Sequence, residues 1–173
     1  MTEIPRDGAR LIIVCGLPGA GKTTLAKAIA SRLSAVRMAP DEWMDVLSLD
    51  LYDEESRAKV ESLQWKLTQE LLALGLVVII EWGTWGKSER DVLRLGARAL
   101  GARVELRYVS APADALLDRI RRRAREQPPI TPEAVSQWLK LFQEPTDAEI
   151  ALFDQPLAAN TAVQPTESER LPN

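Results

Sequence analysis

The sequence predicts an α/β protein of three layers, α/β/α, built on a parallel five-stranded sheet. Three observations predict it. Short apolar runs alternate with helical periodicities along the chain, the pattern of a sheet covered by helices on both faces. The run "LVVII" (Leu76–Ile80) is apolar on both faces and belongs at the centre of such a sheet. The run "LIIV" (Leu11–Val14) leads straight into the glycine-rich "CGLPGAGKTT" (Cys15–Thr24), which in turn opens a helix.

Taken in order, Leu11–Val14 is a buried strand, and Leu25, Ala28, Ile29 and Leu33 give Lys22–Ser34 one apolar helical face. "VRMA" (Val36–Ala39) is a weak second strand stopped by Pro40, and Asp41 can cap the helix that begins "EWMDVL". Asp53 caps a long helix from about Glu54 to Leu74, with Val60, Leu63, Leu67, Leu71 and Leu74 as its apolar stripe and Gly75 past its end. "SERD" (Ser88–Asp91) reads as a capping box opening a helix that stops near Gly101, and "VELRYV" (Val104–Val109) alternates like a strand. Pro112 suits the first turn of a helix through "DALLDRIRRRARE"; Pro128–Pro129 breaks it, and Thr131 caps the next, which carries Val135, Trp138 and Phe142. "TDAE" (Thr146–Glu149) caps a short helix, and "PLAANTAV" (Pro156–Val163) is the fifth strand. One domain over 1–163 is expected, with an arginine-rich helical lid at about 119–131 and a loose tail at 164–173.

The totals narrow the function. A net charge of −3 over 173 residues argues against broad nucleic-acid or membrane-surface binding. No run approaches the roughly 20 apolar residues of a membrane span, and the N-terminus makes a poor signal peptide. One cysteine, Cys15, allows no internal disulfide, so a reducing, cytoplasmic setting is expected. With no histidine, Ser–His triads, histidine bases and the usual histidine zinc sites are excluded.

Gly16, Gly21, Lys22 and Thr23 fit G-x-x-x-x-G-K-[ST] between a strand and a helix, the setting a phosphate-binding loop needs. The backbone N–H groups of Gly16, Leu17, Pro18, Gly19, Ala20, Gly21, Lys22, Thr23 and Thr24 (save the proline's) are expected to cradle the phosphates of ATP, helped by the positive end of the following helix. Lys22 would bridge the β- and γ-phosphates, and Thr23, Asp41 and Glu81 are the candidate groups around Mg²⁺. No Asn-Lys-x-Asp guanine reader is present, and the chain leaves no room for the transmission domain of a motor. A small kinase needs a base, a metal-organising carboxylate and a basic lid. Asp41, after the second strand, is the candidate base; Glu81, after the central strand, is the carboxylate; Arg119, Arg122 and Arg123 share one face of the lid helix. Arg121 and Arg125 lie elsewhere on that wheel and read as solvated.

The order "VVIIEWGTWGKSERDVLRLGARALGARVELRYVSAP", the arginine helix and "ITPEAVSQWLKLFQEPTDAE" resembles a bacterial family of small P-loop kinase-like ATPases related to zeta toxins, polynucleotide 5′-kinases and antibiotic phosphotransferases. The resemblance runs from about Leu11 to Phe153 and implies the P-loop kinase fold. It implies phosphate contacts at Lys22 and Thr23, the catalytic aspartate at Asp41, a Gly-x-Trp turn at Gly83 and Trp85, Glu-Arg-Asp at Glu89, Arg90 and Asp91, and lid arginines at Arg119 and Arg123. Two positions depart from the pattern: Glu81 replaces the usual aspartate, and Lys87 stands where an arginine is common, a point charge in place of a bidentate fork. The acceptor pocket is expected between Asp41 and the long helix, with Trp43 on one wall, Trp82 and Trp85 opposite, and Lys87 and Arg90 reaching the substrate. The expected activity is transfer of the γ-phosphate of ATP to a small-molecule hydroxyl. The alternatives are a 5′-hydroxyl polynucleotide or nucleotide kinase and an ATP-binding regulatory module with slow hydrolysis.

Overall fold

The computed structural model describes residues 8–123 and 129–157. Four parallel strands, β1 (Arg10–Cys15), β2 (Val36–Met38), β3 (Val77–Gly83) and β4 (Arg103–Tyr108), form a sheet in the order β2-β3-β1-β4. The helices between and after them are α1 (Lys22–Leu33), α2 (Pro40–Val46), α3 (Glu54–Ala73), α4 (Lys87–Ala99), α5 (Ala113–Arg123), α6 (Pro132–Leu141) and α7 (Asp147–Ile150). The three-layer α/β/α class is the expected one, but the described sheet has four strands, not five. Most of the expected fifth, 158–163, lies outside the described residues, as do the tail at 164–173 and lid residues 124–128.

The two faces of β1 separate the layers because alternate side chains point to opposite sides of a strand. Ile12 and Val14 meet Ala26 and Ile29 of α1, whereas Leu11 and Ile13 meet Leu72 of α3 and Leu93 and Ala97 of α4. Helices α5 and α6 close a third cluster, in which Leu116 and Val135 pack on Leu17 and Ala20. All strands run the same way, so their C-terminal ends and the following loops share one edge.

Two sequence expectations shift by a residue or two. The buried stripe of α3 is Val60, Gln64, Thr68 and Leu72, while Leu63 and Leu74 are exposed. A partner explains one of its two polar members, since Gln64 Oε1 accepts the indole N–H of Trp82 at 2.7 Å. The "SERD" box is displaced: α4 starts at Lys87, its cap is Gly86, and the Glu89 carboxylate accepts from Gly86 N at 3.3 Å.

Beyond β4, the chain at 153–157 covers the outer edge of the sheet. Asp154 N donates to Val104 O at 2.8 Å, and Val104 N donates to Asp154 Oδ2 at 2.7 Å. Arg98 fixes that carboxylate at 3.1 Å. Below it Glu105, fully buried, takes Arg10, Arg107 and Leu157 N.

Candidate active site

The loop after β1 curls because its glycines tolerate what other residues cannot. Gly16 has φ 147°, and a Cβ there would lie 2.2 Å from Val109 O; Gly19 has φ 82°, and its Cβ would lie 2.8 Å from Leu116 O. Gly16 N also donates to Gly83 O at 3.4 Å, tying the loop to the end of β3. Lys22 opens α1 behind a left-handed Gly21, and its ammonium donates to Leu17 O at 3.0 Å, spanning the loop from within. Thr23 and Thr24 are exposed at the head of α1.

The other predicted groups reach this lysine from separate elements. Burial pulls the Lys22 ammonium down to about 8; the Asp41 charge opposes that, Arg123 deepens it and Glu81 opposes it. Asp41 sits in the first turn of α2 and is exposed, with Arg57 of α3 on its Oδ1. Arg119 Nη1 donates to Gly19 O and Ala20 O, both at 3.2 Å, so the lid helix is anchored on the loop. Arg122 faces away and pairs with Asp118 at 3.0 Å.

Glu81 does not end its strand, as the sequence suggested. A bulge lets β3 run on to Gly83, which pairs with Cys15, and leaves Glu81 inside it. Its Oε1 accepts from Arg37 Nη2 at 2.9 Å, and its Oε2 is buried without a partner among the described residues. Among the described residues no three His, Cys, Asp or Glu side chains cluster as a metal cage. A divalent ion carried by phosphates nevertheless fits: an orphaned carboxylate oxygen at Glu81, the hydroxyl of Thr23 and the exposed carboxylate of Asp41 suit a hard cation.

The matching comparisons fall into place on this geometry. The model of the AAA domain family matches residues 11–145, which takes in the phosphate loop, Asp41, Glu81 and the lid. The chain belongs to that family. Uncharacterized proteins of Mycobacterium tuberculosis and Mycobacterium bovis are 33% identical over 130 residues, covering 66% of this chain and 26% of theirs. The chain thus spans about a quarter of the length of those curated relatives. Among solved structures, the Pnkp1/Rnl/Hen1 RNA repair complex superposes with a TM-score of 0.65 at 20% identity, over 92% of this chain and 50% of that one. A sugar kinase from Janibacter superposes with a TM-score of 0.55 at 22% identity, over 82% of each chain. A gluconokinase from Sinorhizobium meliloti does so with 0.53 at 18%, over 80% and 78%. The fold is the P-loop kinase fold.

Within this family's fold, the residues expected on the acceptor wall have other partners as well. Arg90, expected at the acceptor, is turned inward. Its side chain is fully buried, Nε and Nη2 grip Glu149 at 2.6 and 2.9 Å, and it donates to Thr84 O at 2.9 Å and Gln143 O at 2.8 Å. The sequence missed that role because Glu149, the partner, lies 59 residues away. Lys87 pairs with Asp91 one turn along α4, while its backbone N–H binds Gln143 Oε1. Trp85 stands edge-on to Trp138 at 6.1 Å in the cluster over the loop, and Trp43 is half-buried against the core. Arg37 and Arg57, unremarked in the sequence, hold the two key carboxylates. For Arg37 a signal existed, since a cation flanked by apolar neighbours in a short strand needs a partner.

The lowered Lys22 gives a pH signature. Phosphate favours the charged ammonium, so an occupied loop holds the proton more tightly than an empty one. Triphosphate affinity is therefore full below the empty-loop value of about 8 and falls as pH rises through it, by at most about tenfold per unit. A fluorescent nucleotide titrated from about pH 6.5 to 9.5 tests this; Lys22→Met should bind weakly with no such trend.

Proposed function

We propose that the chain is an ATP- and Mg²⁺-dependent phosphotransferase that moves the γ-phosphate of ATP to a hydroxyl of a small molecule. One observation carries it: Arg119 anchors the lid helix on the phosphate loop, donating to Gly19 O and Ala20 O at 3.2 Å, and the charges of Asp41, Glu81 and Arg123 bear on the lysine of that loop. On this reading the loop amides and Lys22 hold the triphosphate. Asp41 takes the acceptor's hydroxyl proton as the new O–P bond forms and the bond to ADP breaks. Arg119 and Arg123 neutralise charge on the transferring group. Mg²⁺ would offset the charge of the phosphates; Thr23, Glu81 and Asp41 are the side chains that would hold it or its waters. Trp43, Trp85 and Lys87 stay candidate acceptor contacts.

A sugar kinase and a gluconokinase share this fold, which favours a hydroxyl-bearing small molecule as acceptor. A 5′-hydroxyl polynucleotide kinase is the second reading, favoured by the exposed run Arg121–Arg123 and the RNA-repair neighbour. No described helix is long and apolar enough to cross a membrane. The test is a panel of sugars, hydroxylated antibiotics and a 5′-hydroxyl oligonucleotide with ATP and Mg²⁺, scored by mass spectrometry for a gain of about 80 Da. Gain on a small alcohol supports the reading, gain on the oligonucleotide alone transfers it to the second, and no gain on any member counts against both.

A further inference from the structure

We infer that Arg37 is a positioning residue for the metal side of this site: it holds one oxygen of Glu81 so that the other is presented to the cation carried by the triphosphate. The inference rests on the magnesium–triphosphate reading above and goes beyond it, since nothing in the motif points to β2.

The placement follows from strand register. Arg37 pairs with Ile79 across the β2–β3 ladder, so the two share a face of the sheet. Glu81 lies in the bulge beyond Ile79, and its contact with Arg37 places it on that face, the one on which α1 packs through Ala26 and Ile29 against Ile79. Lys22 and Thr23 stand at the N-terminal end of that same helix. A glutamate on this face is therefore directed to the layer that carries the phosphate-binding lysine, and its charge is felt there.

The contact itself is one-sided. Arg37 Nη2 reaches Glu81 Oε1 at 2.9 Å and Glu42 Oε1 at 2.8 Å, and Glu42 in turn meets Lys27 of α1 at 3.5 Å. Arginine and carboxylate frequently meet through two parallel N–H groups on two oxygens, a geometry that would satisfy both oxygens of a buried glutamate. Here the Glu81 side chain is 5% exposed and the Arg37 side chain 15%, yet among the described residues Glu81 Oε2 and Arg37 Nε are both buried without partners. A buried, unpaired carboxylate oxygen is costly unless something else completes it. A glutamate side chain is long and rotatable; the grip from β2 removes that freedom. Glu42 and Lys27 fix Arg37 from the other side, so the chain Lys27–Glu42–Arg37–Glu81 joins α1, α2, β2 and β3.

The experiment measures Mn²⁺ binding, by electron paramagnetic resonance, to protein loaded with a non-transferable ATP analogue, alongside metal-free binding of the same analogue. Arg37→Met should weaken Mn²⁺ binding about tenfold or more while metal-free nucleotide affinity stays within about twofold. Arg37→Lys should recover part of the loss. Glu81→Gln should match Arg37→Met, and the double variant should be no worse than either, because both act through one oxygen. Wild-type Mn²⁺ affinity in Arg37→Met overturns the inference, as does an equal loss of metal-free nucleotide binding, which would mark Arg37 as merely structural. If the wild-type protein binds nucleotide but no Mn²⁺, the magnesium reading falls and this inference with it.

Discussion

Replacing Asp41 by asparagine should lower turnover by about 10² to 10⁴ while ATP affinity near neutral pH stays within about twofold. The side chain keeps its size, and its Oδ1 can still accept from Arg57, so the α2–α3 geometry survives. What disappears is the ability to take a proton. The same change has a second, quieter effect. The Asp41 charge is the largest influence holding the Lys22 ammonium up against its burial. Without it, the pH-dependent loss of nucleotide affinity should begin below the wild-type midpoint of about 8. Rapid-quench turnover and nucleotide titration on one preparation separate the two effects. Full turnover in Asp41→Asn would remove this residue as the base.

The largest stability effect belongs to Arg90. Arg90→Met should cost about 3–5 kcal/mol, read as a lower urea midpoint. It strands the Glu149 carboxylate, 3% exposed, together with the carbonyls of Thr84 and Gln143. Pairing it with Glu149→Leu should recover most of the loss, because a well-packed apolar pair often matches a buried ion pair. A milder effect of the single change than of the double one would contradict the account. The turn from Gly83 to Gly86 is the part of the site at stake, since Arg90 and Gln143 between them hold the carbonyls and amides of Thr84, Trp85 and Lys87.

The sequence carried the local features well and the distant ones poorly. The phosphate loop, the caps at Asp53, Thr131 and Thr146, and the central place of Leu76–Ile80 all follow from residue type and short spacing. Local patterns also placed Asp41, Glu81 and the lid arginines on one edge. They could not show that Arg90 points inward, because a basic residue in a helix's first turn looks the same whether it meets solvent or a carboxylate 59 residues on. The stripe of α3 slipped for a related reason: hydropathy ranks Leu63 above Gln64, but only the indole of Trp82 decides that Gln64 is the one to bury. The bulge that carries β3 through Glu81 depends on pairing with β1 and leaves no mark in composition.

The carboxylate of Asp154 has a consequence for how molecules of this protein meet one another. By occupying the amide of Val104, it denies a neighbouring chain the first rung it would need to extend the sheet from that margin. The opposite margin, Val36–Met38, offers only three residues, too few to template a lasting ladder. Among the described residues, a sheet whose first strand buries Leu11–Cys15 completely thus offers a neighbouring chain little to pair with at either margin.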